Sequence, residues 1–103
     1  MVTVERFFPL DHPAAQGHFP GNPIIPGALL LSETLRAIEA SLDISLSRAR
    51  LASAKFLYPT RPGDRVRIAF SESAGGAIKF ACSVAQKTVL TGVVRCEDIS
   101  TPA

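Results

Sequence analysis

The stretch "QGHFPGNPIIPGALLLSETLRAIEASL", Gln16 to Leu42, decides the fold. Its first half carries Gly17, Pro20, Gly21, Pro23 and Pro26, and with Pro13 just upstream there are too many breakers for a helix or a paired strand. Asp11 to Pro26 is therefore expected to be a loop of fixed shape, since each proline removes freedom that ordering would otherwise cost. From Gly27 to Leu42 the pattern is helical, with Ala28, Leu31, Leu35, Ile38 and Leu42 on one stripe. Leu29 and Leu30 make the first turns apolar on other sides as well, so other structure must wrap the helix at its start. Pro26 directly precedes it, and the unpaired amides and positive dipole end of the helix point back at the loop.

Working outward, Val2 to Leu10 forms a short apolar strand that ends at Pro9. After the polar break "DISLSRAR" the remainder is strands. Ala52 to Tyr58 is one, followed by the turn "PTRPGD"; Val66, Ile68 and Phe70 mark a second. Ile78, Phe80, Cys82 and Val84 mark a third after "SAGGA", and Val89 to Cys96 is the fourth, beyond a turn near Gln86 and Lys87. A two-residue turn there sets Cys82 opposite Thr91 and Cys96 opposite Ala77, too far apart for a disulfide. The expected class is α+β: one long helix wrapped by a curved, mostly antiparallel sheet of consecutive hairpins.

The 103 residues make a single domain, 1–103, with one core. With 47% apolar and 19% charged residues the chain is short of polar surface for a monomer, so association is expected. The N-terminus shows no basic start followed by an apolar block, and Pro26, Gly27 and Ser32 interrupt the longest apolar run. A soluble, cytoplasmic protein without a membrane partner is expected. Cys82 and Cys96 form no CxxC and have no histidine nearby in sequence, so no metal site is expected. Net charge is +2, yet Arg48, Arg50, Lys55, Arg61, Arg65 and Arg67 fall close together, either as a solvated basic face or as a landing site for an acidic protein. With one Tyr and no Trp to stack on bases, nucleic acid is not an expected partner.

The run "GHFPGNPIIPGALLLSE" resembles the signature of the β-hydroxyacyl-acyl-carrier-protein dehydratases of the FabZ and FabA type, which have the hotdog fold. "AKFLYPTRPGD", Ala54 to Asp64, is similar to the strand and turn that follow the helix in that family, and the likeness extends from Phe8 to Glu97. The resemblance implies a hotdog domain assembled as a homodimer or higher homo-oligomer with composite sites. It implies a lyase of fatty acid or polyketide-type lipid biosynthesis that acts on acyl thioesters, with an acyl carrier protein as partner. No metal or redox cofactor is implied, because the substrate brings the phosphopantetheine arm of its carrier protein or of coenzyme A. His18 is then the general base that takes the α-proton, and the Gly27 amide binds the thioester carbonyl where the helix dipole stabilises enolate charge. Phe19, Ile25, Pro26 and Ala28, at the same junction, are the expected substrate-binding residues.

One position departs from the family. Its carboxylic acid, contributed across the dimer to protonate the departing hydroxyl, lies fourteen residues after the histidine, and here that position is Ser32. Glu33 is next door. At about 100° per residue, Ser32 lies about 90° from the centre of the apolar stripe and Glu33 nearly opposite it, so Ser32 is expected to face His18 of the neighbouring subunit. A serine orients a water but does not replace an acid. The structural alternatives are a Glu33 pair with Arg36 and a Ser32 bond back to the Ala28 carbonyl. Ile24, Leu29 and Leu30 serve either as an acyl tunnel or as core, His12 as a surface residue and Asn22 as part of the loop. Two further functions stay open: a non-catalytic acyl or acyl-carrier binding protein, and a thioesterase with Glu33 or Glu39 turned inward.

Overall fold

The computed structural model describes residues 1–10, 24–73 and 75–96. Along the chain run β1 (Val2–Phe7), α1 (Gly27–Leu42), β2 (Arg50–Phe56), β3 (Arg65–Ser73), β4 (Ala77–Val84) and β5 (Lys87–Arg95). The strands form one antiparallel sheet in the order β1-β3-β4-β5-β2, and α1 packs on one face of it, the expected α+β layout.

Alternation explains the sheet. Val66, Ile68 and Phe70 of β3 are buried while Arg65 and Arg67 face water. Register then stacks Phe70 beside Phe80, Ile68 beside Cys82 and Cys82 beside Leu90, so the inward residues of three strands form one apolar surface. Gly92 sits opposite Phe80, and a Cβ there would run into the Phe80 ring and come within 2.7 Å of the Ser53 carbonyl oxygen. Only glycine fits.

The helix has the bounds its sequence indicates, but a different face is buried. Leu30, Thr34, Ala37 and Ile38 enter the core, Ala28 is exposed, and Leu31, Leu35 and Leu42 are half-buried. At about 100° per residue this face is turned about 95° from the expected stripe. Two causes are visible. The first turns are apolar all round, which leaves the phase of the pattern undetermined, and Thr34 is polar by type yet fully buried. Its hydroxyl donates to the Leu30 carbonyl at 2.8 Å and lies 3.3 Å from Cys82 Sγ, so it enters the core satisfied.

The sheet corrects three further expectations. The first strand stops at Phe7, short of Leu10, and β2 starts and ends two residues earlier than expected. Only β3, β4 and β5 are joined as consecutive hairpins; β2 crosses to the far edge and pairs with β5, because its connection to β3 contains Pro59 and Pro62 and makes no tight turn. The β4–β5 turn falls at Ala85 and Gln86, both at positive φ, and a register shift follows between Cys82 and Ser83. Cys82 therefore faces Leu90 rather than Thr91, and Ala77 faces Arg95 rather than Cys96. Both cysteines are buried free thiols.

One turn ties the sheet to the helix. The Phe8 amide donates to the Asp64 carbonyl at 3.0 Å, the Gly63 amide donates to the Phe8 carbonyl, and the Ile25 amide donates to the Thr60 carbonyl at 2.7 Å. Asp64 Oδ2 accepts the Arg61 amide at 2.7 Å and braces the turn from within. Residues 60–64 thus hold the chain both where it leaves β1 and where it approaches α1.

Candidate functional site at the start of the helix

Helix α1 begins without a side-chain cap, since its N-cap is Pro26. The Leu29 and Leu30 amides donate to the Pro26 carbonyl at 3.0 and 3.1 Å. Among the described residues the Gly27 and Ala28 amides have no acceptor, and the positive end of the helix dipole lies there. A cleft of about 340 Å³ opens beside them, with Ile24, Ile25, Gly27 and Leu30 on one wall and the chain from Phe56 to Thr60 on the other. A Cβ on Gly27 would approach Phe56 Cε1 to 2.9 Å, so glycine lets the Phe56 ring pack directly against the helix start.

A second cleft of about 370 Å³ shares Tyr58 and Pro59 with the first and carries Arg61, Asp64 and Lys87. Lys87 Nζ stands 3.6 Å from the Tyr58 ring centroid, a cation–π contact at the junction of the two. The pair of clefts is apolar at the helix end and charged at the other.

Of the residues singled out in the sequence, Ile25 and Gly27 stand on the first cleft wall, together with Ile24 and Leu30, while Pro26, Ala28, Ser32 and Glu33 do not. His18, Phe19, His12 and Asn22 lie outside the described residues. Glu33 forms an ion pair with Arg36 at 3.7 Å. The turned helix changes the expected bearings: relative to the chain's own sheet, Ser32 lies nearly opposite the buried face and Glu33 about 85° from it. Glu39 Oε2 accepts the Leu46 amide at 2.7 Å, so this carboxylate is occupied in closing the helix end. The run Phe56 to Thr60 was not singled out as a site wall, although three consecutive large residues, Phe56, Leu57 and Tyr58, before Pro59 were its signal.

Neither thiol belongs to the clefts. Burial pushes the Cys82 thiol pKa up, with the Thr34 contact acting the other way, and burial, helped by Glu72, raises that of Cys96. The cations that lie together in sequence do not form one patch either. Arg50 and Lys55 are on β2, Arg65 and Arg67 on β3, with β4 and β5 between them, about 14 Å at ordinary strand spacing. Among the described residues no helix is long and apolar enough to cross a membrane, and no group of three or more His, Cys, Asp or Glu gathers as a metal set.

Residues 1–93 match the model of the ApeI-like family, described as ApeI dehydratase. The chain belongs to the ApeI-like dehydratase family. Consistent with this membership, it is 31% identical to the 3-hydroxyacyl-acyl-carrier-protein dehydratase FabZ of Levilactobacillus brevis over 94% of this chain and 76% of that protein. The FabZ of Chloroflexus aggregans is 39% identical over 62% of this chain and 49% of its own length; the chain spans about half the length of several such relatives. Among solved structures, the dehydratase heterocomplex ApeI:P from Xenorhabdus doucetiae superposes with a TM-score of 0.73 at 16% identity, covering 90% of this chain and 83% of that one. The ApeI-like chain therefore has the hotdog fold.

Proposed function

We propose that the chain is a lyase that reversibly removes water from β-hydroxyacyl thioesters, presented on an acyl carrier protein or coenzyme A, within fatty acid or polyketide-type lipid biosynthesis. The observation that carries this reading is the uncapped helix start: Gly27, whose amide has no acceptor among the described residues, lines an apolar cleft of a size suited to an acyl group. A thioester carbonyl seated there would gain negative charge as the α-proton leaves, and the helix end favours that charge. In the family pattern His18 takes the α-proton. The β-hydroxyl then departs with a proton as water and leaves the enoyl thioester. No cofactor takes part in this reading, since the substrate carries its own phosphopantetheine arm. Arg61 and Lys87 on the second cleft suit an anionic carrier, with the arm passing Tyr58 toward Gly27.

The site is composite in this reading, and the active unit is a homodimer. Edge strand β2 supports it, since Leu51 and Phe56 lie exposed beside an edge that no other strand among the described residues covers. Ser32, turned away from its own sheet, is the residue that meets His18 of the second subunit. It holds a water that delivers the proton, while Glu33 keeps its pair with Arg36.

One assay tests the reaction. The protein is incubated with β-hydroxyacyl and saturated acyl thioesters while enoyl formation and free thiol are followed together. Enoyl product without thiol is the expected result. Thiol release without enoyl product would mean thioester hydrolysis instead, and neither signal would leave a binding role.

A further inference from the structure

Strand β5 changes face part-way along. Leu90, Gly92 and Val94 alternate onto the helix-side face and are buried, so a regular strand would carry Lys87 to the outer face, where Lys55 and Lys79 stand exposed. The register instead sets Cys82 opposite Leu90 and then Ser83 opposite Thr88, which makes Val89 an extra residue, buried beside Leu90. Beyond this bulge Lys87 pairs with Val84 and turns to the helix-side face, and Val84, Lys87 and Val89 line the second cleft together. The Val89 carbonyl accepts the Leu57 amide at 2.9 Å, and the next residue, Tyr58, sets its ring 3.6 Å from Lys87 Nζ. The cation is thus aimed at a cleft and rested on a ring, yet among the described residues it has no carboxylate partner. The Asp64 carboxylate, on the same cleft, accepts the Arg61 amide instead.

We infer that the second cleft is a phosphate subsite, in which Lys87 pairs with the phosphate that ends the pantetheine arm of a thioester seated at Gly27. The inference rests on the proposed thioester reading and adds to it the group that grips the arm. That phosphate is common to a carrier protein's arm and to coenzyme A. Distance permits the contact: Gly27 packs against Phe56, Tyr58 is two residues on, and strand geometry sets Gly27 and Lys87 on the order of 10–15 Å apart. An extended pantetheine arm spans about 15 Å from thioester carbon to phosphorus, enough to bridge them. Charge agrees with distance. Arg61, Lys87 and Asp64 leave the cleft one net positive charge, which suits the single negative charge of a phosphodiester. The ring beneath Lys87 limits the freedom it loses on pairing, and an ammonium has donors to spare for the phosphate oxygens.

The test is calorimetric binding of β-hydroxyacyl pantetheine amides, in which NH replaces the thioester sulfur so that nothing turns over. The arm ends in a free alcohol, in a methyl phosphodiester, or in the nucleotide of coenzyme A. In low salt the wild-type protein should bind the phosphodiester about fivefold more tightly than the alcohol, with the gain shrinking as salt is raised, and the coenzyme A analogue within about threefold of the phosphodiester. Lys87→Gln should bind phosphodiester and alcohol within about twofold of each other, and Lys87→Arg should keep the preference. Equal wild-type affinity for alcohol and phosphodiester, or an unchanged preference in Lys87→Gln, overturns the subsite and leaves the thioester reading standing. A gain confined to the coenzyme A analogue places the charge contact at the nucleotide and overturns the subsite as well. Binding of none of these amides by wild type overturns both readings. If Lys87→Gln does not fold, Lys87→Met supplies the same comparison.

Discussion

Strands β3 and β2 both carry large apolar side chains, but only β3 finds cover among the described residues. Val66, Ile68 and Phe70 of β3 are at most 1% exposed, with β1 and β4 on either side, whereas Leu51 and Phe56 of β2 are 42% and 50% exposed. The difference is one of position. A strand inside the sheet is roofed by the helix and flanked by partners; a strand at the edge has one neighbour and an open ladder. Among the described residues the first environment is complete and the second is not, and the start of α1, against Phe56, sits on that incomplete side.

The largest expected effect comes from breaking the complete side. Phe70→Ala should lower folding stability by about 3–5 kcal/mol, measured as a fall in the urea midpoint. On the incomplete side the readout is activity. Ser32→Glu should raise the dehydration rate at least about tenfold by restoring an acid, while Glu33→Gln should change it less than about threefold. If Glu33→Gln instead abolishes turnover, Glu33 is the acid and Ser32 is not. Leu51→Lys places a charge on the exposed edge and should weaken dimerisation about tenfold by sedimentation equilibrium without unfolding the monomer; an unchanged association would move the interface elsewhere.

The smallest effect belongs to the buried thiols. Their folded pKa values are raised by burial, so the folded state keeps its thiol protons above about pH 8.5, where the unfolded chain loses them. Stability is therefore full below that pH and falls as pH rises past it. Cys82→Ala should flatten this slope in urea midpoints taken between pH 7 and pH 9.

Much of this was legible in the sequence, for reasons that also explain what was not. Pro26 and the polar break after Leu42 mark the helix ends by chemistry local to those positions, and the bounds agree with the structure. The helix's phase depends on which side the sheet covers; with leucines at 29, 30, 31 and 35, periodicity had no contrast to work with. Thr34 misled it further, because a buried threonine that bonds its own helix carries no mark in sequence. Ala85 and Gln86 lack the Gly, Asn or Asp that usually announces a turn at positive φ, and the hairpin was placed one residue late. For the site, the motif identified Gly27 and Ile25, which stand on the cleft, while the opposing wall from Phe56 to Thr60 came from a strand whose partner across the sheet no local pattern specifies.

The clasp at residues 60–64 bears on how such proteins can be recombined. Phe8 and Ile25, which flank residues 9–24 in the sequence, are both gripped by the same short turn. Thr60 to Asp64 therefore fix where the described chain stops after β1 and where it resumes before α1. A graft that imports this excursion from a relative without the matching turn would bring in a foreign key and keep the old lock. The exchangeable unit is the two segments together, though some thirty-five residues separate them along the chain.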